Sequence, residues 1–236
     1  MRWLVPFLAA GALFAQERPA FEVASVKVNT TGGPGASMQQ RNGGIELQNY
    51  SLRLLVQMAY RVHDYACSAP SWLDSVHFDI VAKMPAGGKF EQFPDMMQAL
   101  LAERFKLAVH REVKEMPGLA LVVDKKGPRI QPVDPGQKST SWGSNMVQGA
   151  SITMAEFAGL LSNSLDRPVK DLTALPGVYD IKIRWTPDTP SSTDPTDLPG
   201  SVYGAVQDLL GLRLQVQKVP VEVLVVDRAE RVPTEN

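Results

Sequence analysis

The chain has one cysteine, Cys67, and three histidines, His63, His77 and His110, in 236 residues. A single thiol cannot close an intramolecular disulfide, and no Cys/His set has the spacing of a zinc site. Net charge is almost absent as well: 24 Lys and Arg stand against 25 Asp and Glu, a formal −1. Nucleic-acid binders ordinarily carry a basic surplus, so that class is disfavoured. Beyond the N-terminus no apolar run approaches the roughly 20 residues that span a bilayer. The hydrophobic share, 44%, is that of a globular chain and excludes disorder throughout.

The N-terminus reads MRWLVPFLAAGALFAQ, with Arg2 ahead of the uncharged stretch Trp3–Ala15. That stretch is too short for a membrane span and suits the core of a signal peptide, with cleavage expected after Ala15. No Cys follows the core, so a lipid anchor is not expected. Residues 1–15 are therefore predicted to be a signal peptide, and the mature chain is expected in the periplasm or outside the cell. There the lone Cys67 gives no staple, so packing alone must hold the fold. Cys67 itself reads as a small buried apolar residue.

The chain also repeats itself. Pro117–Asp124 (PGLALVVD) and Pro220–Asp227 (PVEVLVVD) share five of eight residues at an offset of 103. Phe78-Asp79-Ile80 parallels Tyr179-Asp180-Ile181. Leu52, Leu55, Val56 and Ala59 mark one helix face, and Met154, Phe157, Ala158 and Leu161 repeat it at an offset of 102. Met97, Leu100, Leu101 and Phe105 match Val202, Ala205, Val206 and Leu210. Ser51 is a plausible cap for the first helix, and Thr153 with Glu156 forms a capping-box pattern in the second copy.

These matches predict two related α+β units, 16–126 and 144–236, joined by a linker at 127–143. Each should run strand–helix–strand–helix–strand–strand, with helices packed on a small mixed sheet and the last two strands paired as a hairpin. An additional strand, Phe21–Val28, alternates cleanly ahead of the first unit. Thr30–Gly44, with five Gly and a Pro, reads as a loop without periodicity. The Pro-rich segment 186–200 reads as a polar insert before the last helix.

Several long motifs carry a resemblance: FEVASVKVN (Phe21–Asn29), APSWLDSVHFDIVAKMP (Ala69–Pro85), LLAERFKLAVHRE (Leu100–Glu112), RPVKDLTALPGVYDIKIRW (Arg167–Trp185) and LGLRLQVQKVPVEVLVVDRAERV (Leu210–Val232). On these the chain resembles an uncharacterised, soil-associated family of exported bacterial proteins, a domain of unknown function expanded in acidobacteria. The resemblance implies no activity. Similar domains are fused to membrane metallopeptidases of the antibiotic-sensor type, which implies a sensory or interaction role. Each repeat also looks like the short N-terminal domain of secretins and TonB-dependent receptors, which binds envelope proteins and does no chemistry.

The residues themselves assemble no recognised catalytic pattern. His63, Asp64, Cys67, Ser71 and His77 cluster after the first helix, and a Cys beside a His could form a thiolate nucleophile, but no protease signature surrounds them. Metal binding by His63, Cys67 and His77 lacks an H-E-x-x-H or an equivalent. His110 reads as a surface residue of a strand. Asp79 and Asp180 repeat, as do Asp124 and Asp227, which points to turn or cap duty. Gly32-Gly33-Pro34-Gly35 lacks the Lys and Ser/Thr of a phosphate loop, and Gly149–Thr153 misses the last Gly of a nucleophile elbow, leaving Ser151 at a helix start. Trp72, Phe78, Tyr179 and Trp185 read as packing residues. No catalytic, cofactor or metal residue is nominated, and the expectation is a non-catalytic module that binds an envelope protein. The alternatives are a small-molecule sensor with its ligand between the units near Trp72 and the Gly-rich loop, or a Cys/His hydrolase.

Overall fold

The computed structural model describes residues 19–33, 35–41, 43–186 and 201–234. The expected signal peptide, and the expected insert beyond Thr186, lie outside the described residues. In chain order the elements are β1 (Val23–Val28), β2 (Ser37–Arg41), β3 (Gly44–Ser51), α1 (Leu52–Tyr60), β4 (Cys67–Ser68), β5 (His77–Lys83), α2 (Phe93–Arg104) and β6 (Ala108–Val123). They continue with β7 (Ser139–Gly143), β8 (Met146–Ile152), α3 (Met154–Leu165), β9 (Val169–Asp171), β10 (Tyr179–Arg184), α4 (Val202–Leu210) and β11 (Leu212–Arg228). Among the described residues, four α-helices and three small sheets make a mixed α+β fold, the class predicted. By internal contacts the chain divides into two compact units, residues 1–60, 72–107 and 230–236, and residues 61–71 and 108–229.

The first unit packs two helices on an antiparallel sheet of order β1-β5-β3-β2. Alternation in β5 turns Phe78, Ile80 and Ala82 into the core. α1 buries Leu52, Leu55, Val56 and Ala59, the face the spacing predicts, and Ser51 Oγ accepts the Leu54 N–H at 3.2 Å. At the end of α2, Phe105 meets Phe78 edge-on with centroids 4.8 Å apart. Gln98 of α2 donates to the Ala59 carbonyl at 2.8 Å and ties the two helices together.

The second unit holds an antiparallel sheet of order β10-β8-β7, again under two helices. α3 starts with the predicted capping box: Thr153 Oγ1 accepts the Glu156 N–H and Glu156 Oε2 accepts the Thr153 N–H. It buries Met154, Phe157, Ala158 and Leu161 against Tyr179, Ile181 and Ile183 of β10. α4 is capped by Ser201 and stops at Gly211, whose φ of 64° and lack of a side chain are both required. A Cβ there would stand 2.4 Å from the Gly127 carbonyl.

The two terminal hairpins expected on sequence do not form. The two strands expected to form the first hairpin are one unbroken strand, β6, from Ala108 to Val123, and β11 is likewise continuous through Pro220. No residue of either strand has positive φ, so the backbone never meets the geometry a tight hairpin turn needs. Instead β6 and β11 pair antiparallel along their lengths, with Pro117 facing Lys218 and Glu115 facing Pro220. The centre of this ladder, Met116 against Val219, is separated by the same offset of 103 that aligns the two PxxxLVVD segments. Short strands extend the ribbon in parallel at both ends, β9 along Leu119–Leu121 and β4 along Leu224–Val225. Ala108–Val123, placed with the first unit on sequence, therefore lies in the second unit's sheet.

Two segments read as loop and linker contain strands. β2 lies within Thr30–Gly44 and β7 within 127–143, pairing with β3 and β8. β2 is exposed throughout and β7 nearly so, which removes the apolar alternation that betrays a strand.

Candidate functional site

The same three-part arrangement occurs in both units. At the end of β3, Asn49 has φ 61° and is the extra residue of a bulge opposite β5. Its N–H donates to Asp79 Oδ1 at 2.9 Å, and its side-chain amide donates to the carbonyls of Gly33 and Gly35. At the end of β8, Ser151 has φ 52° and is the corresponding extra residue opposite β10. Its N–H donates to Asp180 Oδ1 at 2.8 Å, and its Oγ accepts the Gly136 N–H at 2.9 Å. Each carboxylate thus satisfies a backbone donor that the bulge removes from the strand ladder. The repeated Asp does bond backbone, but across strands instead of within its own turn. Asn49 and Ser151 were not singled out for this role on sequence; they lie 30 and 29 residues before the paired Asp residues, and that near-match was the available signal.

Asp79 also accepts both bonds from Asn29 Nδ2, at 2.8 and 3.1 Å, while Asn29 Oδ1 accepts the Gly32 N–H. These bonds wall a polar cleft of about 460 Å³ formed by the Gly-rich loop, Gln48, Asn49 and Asp79. Its side-chain groups are amides, hydroxyls and one carboxylate, and Asn29, Asn49 and Asp79 are engaged in shaping the loop. Trp72, the aromatic considered beside this loop on sequence, lies in a 3₁₀ turn with the Arg231 guanidinium 5.3 Å from its ring centroid.

The reactive cluster considered on sequence is distributed over several elements. The His63 ring stacks on Tyr65 at 4.9 Å with 9° between planes. Cys67 is buried on β4, Asp64 and Ser71 sit in separate 3₁₀ turns, and His77 lies on β5 opposite Ser51. Burial pushes the Tyr65 hydroxyl up, partly offset by its hydrogen bond with Ser162. A shallow cleft of about 470 Å³ opens beside Tyr65 and Cys67, floored by Met116 and Val223. His110 lies on β6, as expected, with its Nδ1 2.8 Å from Asp227 Oδ1. Among the described residues, no group of three or more His, Cys, Asp or Glu could hold a metal ion. No helix among them is long and apolar enough to cross a membrane.

The sharpest difference between the two sheets is at one edge. In the first unit β1 covers the outer side of β5, with Lys27 facing Asp79, Ser25 facing Val81 and Val23 facing Lys83. The Asn29 N–H closes this ladder on the His77 carbonyl at 2.8 Å. In the second unit the Val133 N–H reaches the Val178 carbonyl at 2.8 Å, the equivalent contact, and pairing stops there. The preceding residue is Pro132, which has no N–H to offer, and Arg129 bonds the Leu210 carbonyl instead. No strand among the described residues pairs with the outer side of β10. Tyr179, Ile181 and Ile183 point into the core while Asp180, Lys182 and Arg184 are exposed. Because Trp185 N–H points to β8 and Val178 C=O points away from it, alternation directs the backbone N–H and C=O of Asp180, Lys182 and Arg184 outward.

A family model described as "Protein of unknown function (DUF3738)" matches residues 53–229, about three quarters of the chain. No curated protein and no solved structure matches it.

Proposed function

The chain belongs to the DUF3738 family, whose description carries no function, and we propose that it acts as an exported, non-catalytic protein-interaction module that takes a partner's strand onto β10. The observation that carries this reading is the edge itself. Two sheets of like construction stand in one chain; β1 closes one, and among the described residues the matching side of the other ends in three outward sets of backbone donors and acceptors. An edge of that kind is a template for an added strand.

The remaining features support the same reading. The N-terminal leader pattern supports export, and the sequence resemblance of each repeat to envelope-protein binding domains supports a binding role. The repeated carboxylates Asp79 and Asp180 hold backbone at bulges, which accounts for them structurally without chemistry. The sequence matches and the ladder centred on Met116 and Val219 support a tandem duplication whose terminal strands have exchanged. In that account β10 is the copy of β5, and Gly127–Pro132 stands in β1's place with prolines at 128 and 132.

The test is a peptide copied from Phe21–Asn29, titrated at millimolar concentration into isotope-labelled protein. Amide shifts concentrated on Asp180, Lys182 and Arg184, with slowed exchange of those protons, are expected. Lys182→Pro should abolish them, because it removes an outward N–H and no bond to β8. Absence of any response along β10 in the unsubstituted protein would overturn the proposal.

A further inference from the structure

We infer that the strand accepted by β10 runs antiparallel to it and alternates apolar with acidic residues, the acids facing Lys182 and Arg184. This rests on the strand-addition reading and specifies the partner's chemistry.

The first unit supplies the template. There the inward residues of the added strand, Ala24 and Val26, stand beside Ala82 and Ile80, and the outward residues stand beside Asp79, Val81 and Lys83. At the matching inward positions β10 carries Ile183 and Ile181, so the apolar half of the pattern is unchanged. The outward half is not. Asp180 keeps the place of Asp79, but Lys182 replaces a valine, and Arg184 has no counterpart to the Glu22 carboxylate that pairs with Lys83 at 3.0 Å. Neither Lys182 nor Arg184 forms an ion pair among the described residues.

Two exposed cations two residues apart on an edge have a definite consequence. Like charges placed directly opposite each other across strands repel, and opposite charges attract. Basic strands are thereby turned away, which is how edge lysines ordinarily prevent indiscriminate pairing, while an acidic alternating strand is selected. The length of the shelf is fixed as well. The Val133 contact at Val178 bounds it on one side, and on the other β10 ends at Arg184. The outward positions within that stretch are Asp180, Lys182 and Arg184, so the partner's core reads acidic–apolar–acidic–apolar–X, with X neutral or basic opposite Asp180.

The experiment compares two versions of the Phe21–Asn29 peptide on the full chain. One carries Val23→Glu and Ser25→Glu, placing acids opposite Arg184 and Lys182; the other carries Val23→Lys and Ser25→Lys. The acidic peptide should bind about tenfold tighter in low salt, from two cross-strand pairs, and the gap should shrink as salt is added. In the doubly substituted protein Lys182→Glu, Arg184→Glu the preference should invert, with circular dichroism confirming that these exposed changes leave the fold intact. Equal affinities, or a preference that survives the charge reversal, would overturn this inference while leaving strand addition standing. No binding of either peptide at β10 would overturn both. Self-association of the free protein that Lys182→Pro abolishes would overturn the acidic-partner assignment by making a second copy the occupant.

Discussion

The first unit uses the outer edge of its sheet for folding, and the second leaves the equivalent edge unpaired among the described residues. Everything beneath that edge is alike: a bulge with one residue at positive φ, an Asp that receives its N–H, and a helix launched directly afterwards from a capped start. The comparison separates what the two units share from what differs between them. The bulge and its Asp occur in both; among the described residues the covering strand occurs in one only. Function in such a pair is sought where the units differ.

The largest test of the comparison concerns the shared carboxylates. Asp79→Ala strips acceptors from the Asn49 N–H and the Asn29 amide, and hydrogen bonds to charged groups contribute about 1.5–3 kcal/mol each. A loss of about 3 kcal/mol is expected by urea denaturation. Asp180→Ala, which removes the acceptor of one backbone N–H, should cost about 2 kcal/mol. Equal losses well below 1 kcal/mol in both would break the claim that the bulges depend on them.

Hydrogen exchange sharpens the edge itself. The amides of Val81 and Lys182 occupy matching outward positions, one under β1 and one without a covering strand among the described residues. Lys182 should exchange at least about a hundredfold faster than Val81, since unpaired edge amides open without unfolding. Comparable protection at the two positions would mean that the β10 edge is already covered.

Much of this was legible in the sequence, and the exceptions have physical reasons. The helix faces were readable because burial imposes a 3.6-residue period, and Ser51, Thr153 and Glu156 were readable because caps act within three residues. β2 and β7 were not, since strands exposed on nearly all positions need no apolar alternation; Asn-Gly at 42–43 was the overlooked hairpin signal. The expected hairpins did not form: the charged residues Glu112, Lys114 and Glu115 lie instead within one continuous strand and are exposed there. The bond from Ser151 to Asp180 spans 29 residues, beyond any local pattern. The β10 edge, unpaired among the described residues, was the hardest to see, because its sequence mark is the presence of Pro128 and Pro132 where β1 has none.

The ribbon offers a smaller contrast. Gly118 in β6 and Val221 in β11 each follow the proline of the two matching PxxxLVVD segments, but a Cβ on Gly118 would come within 2.5 Å of Val219 Cγ2 and 2.7 Å of the Pro168 carbonyl. Gly118→Ala should therefore cost about 2 kcal/mol through overpacking, whereas Val221→Ala, at a half-buried site, should cost less than about 1 kcal/mol. If the two losses matched, the close approach of Pro168 would not distinguish the two halves of the ribbon.

The smallest expected effect lies at the two helix starts and depends on pH. α3 is capped with a carboxylate, Glu156, where α1 has Leu54. The Lys138 ammonium 2.6 Å away, together with the Thr153 N–H, holds the Glu156 carboxyl below its ordinary value of 4.5. A depressed carboxyl stabilises the fold fully above its unfolded value and loses that contribution as pH falls through the folded one. Both partners are substantially exposed, so solvent screening limits the contribution to under about 1 kcal/mol. Glu156→Gln keeps an acceptor for the Thr153 N–H and removes only the charge. Its Tm should lie slightly below that of the unsubstituted protein at pH 7, and the two curves should converge as pH drops below about 4.5. A gap that stayed constant down to pH 3 would assign the cap's contribution to hydrogen bonding alone, and the helix starts of the two units would then be alike in electrostatics as they are in geometry.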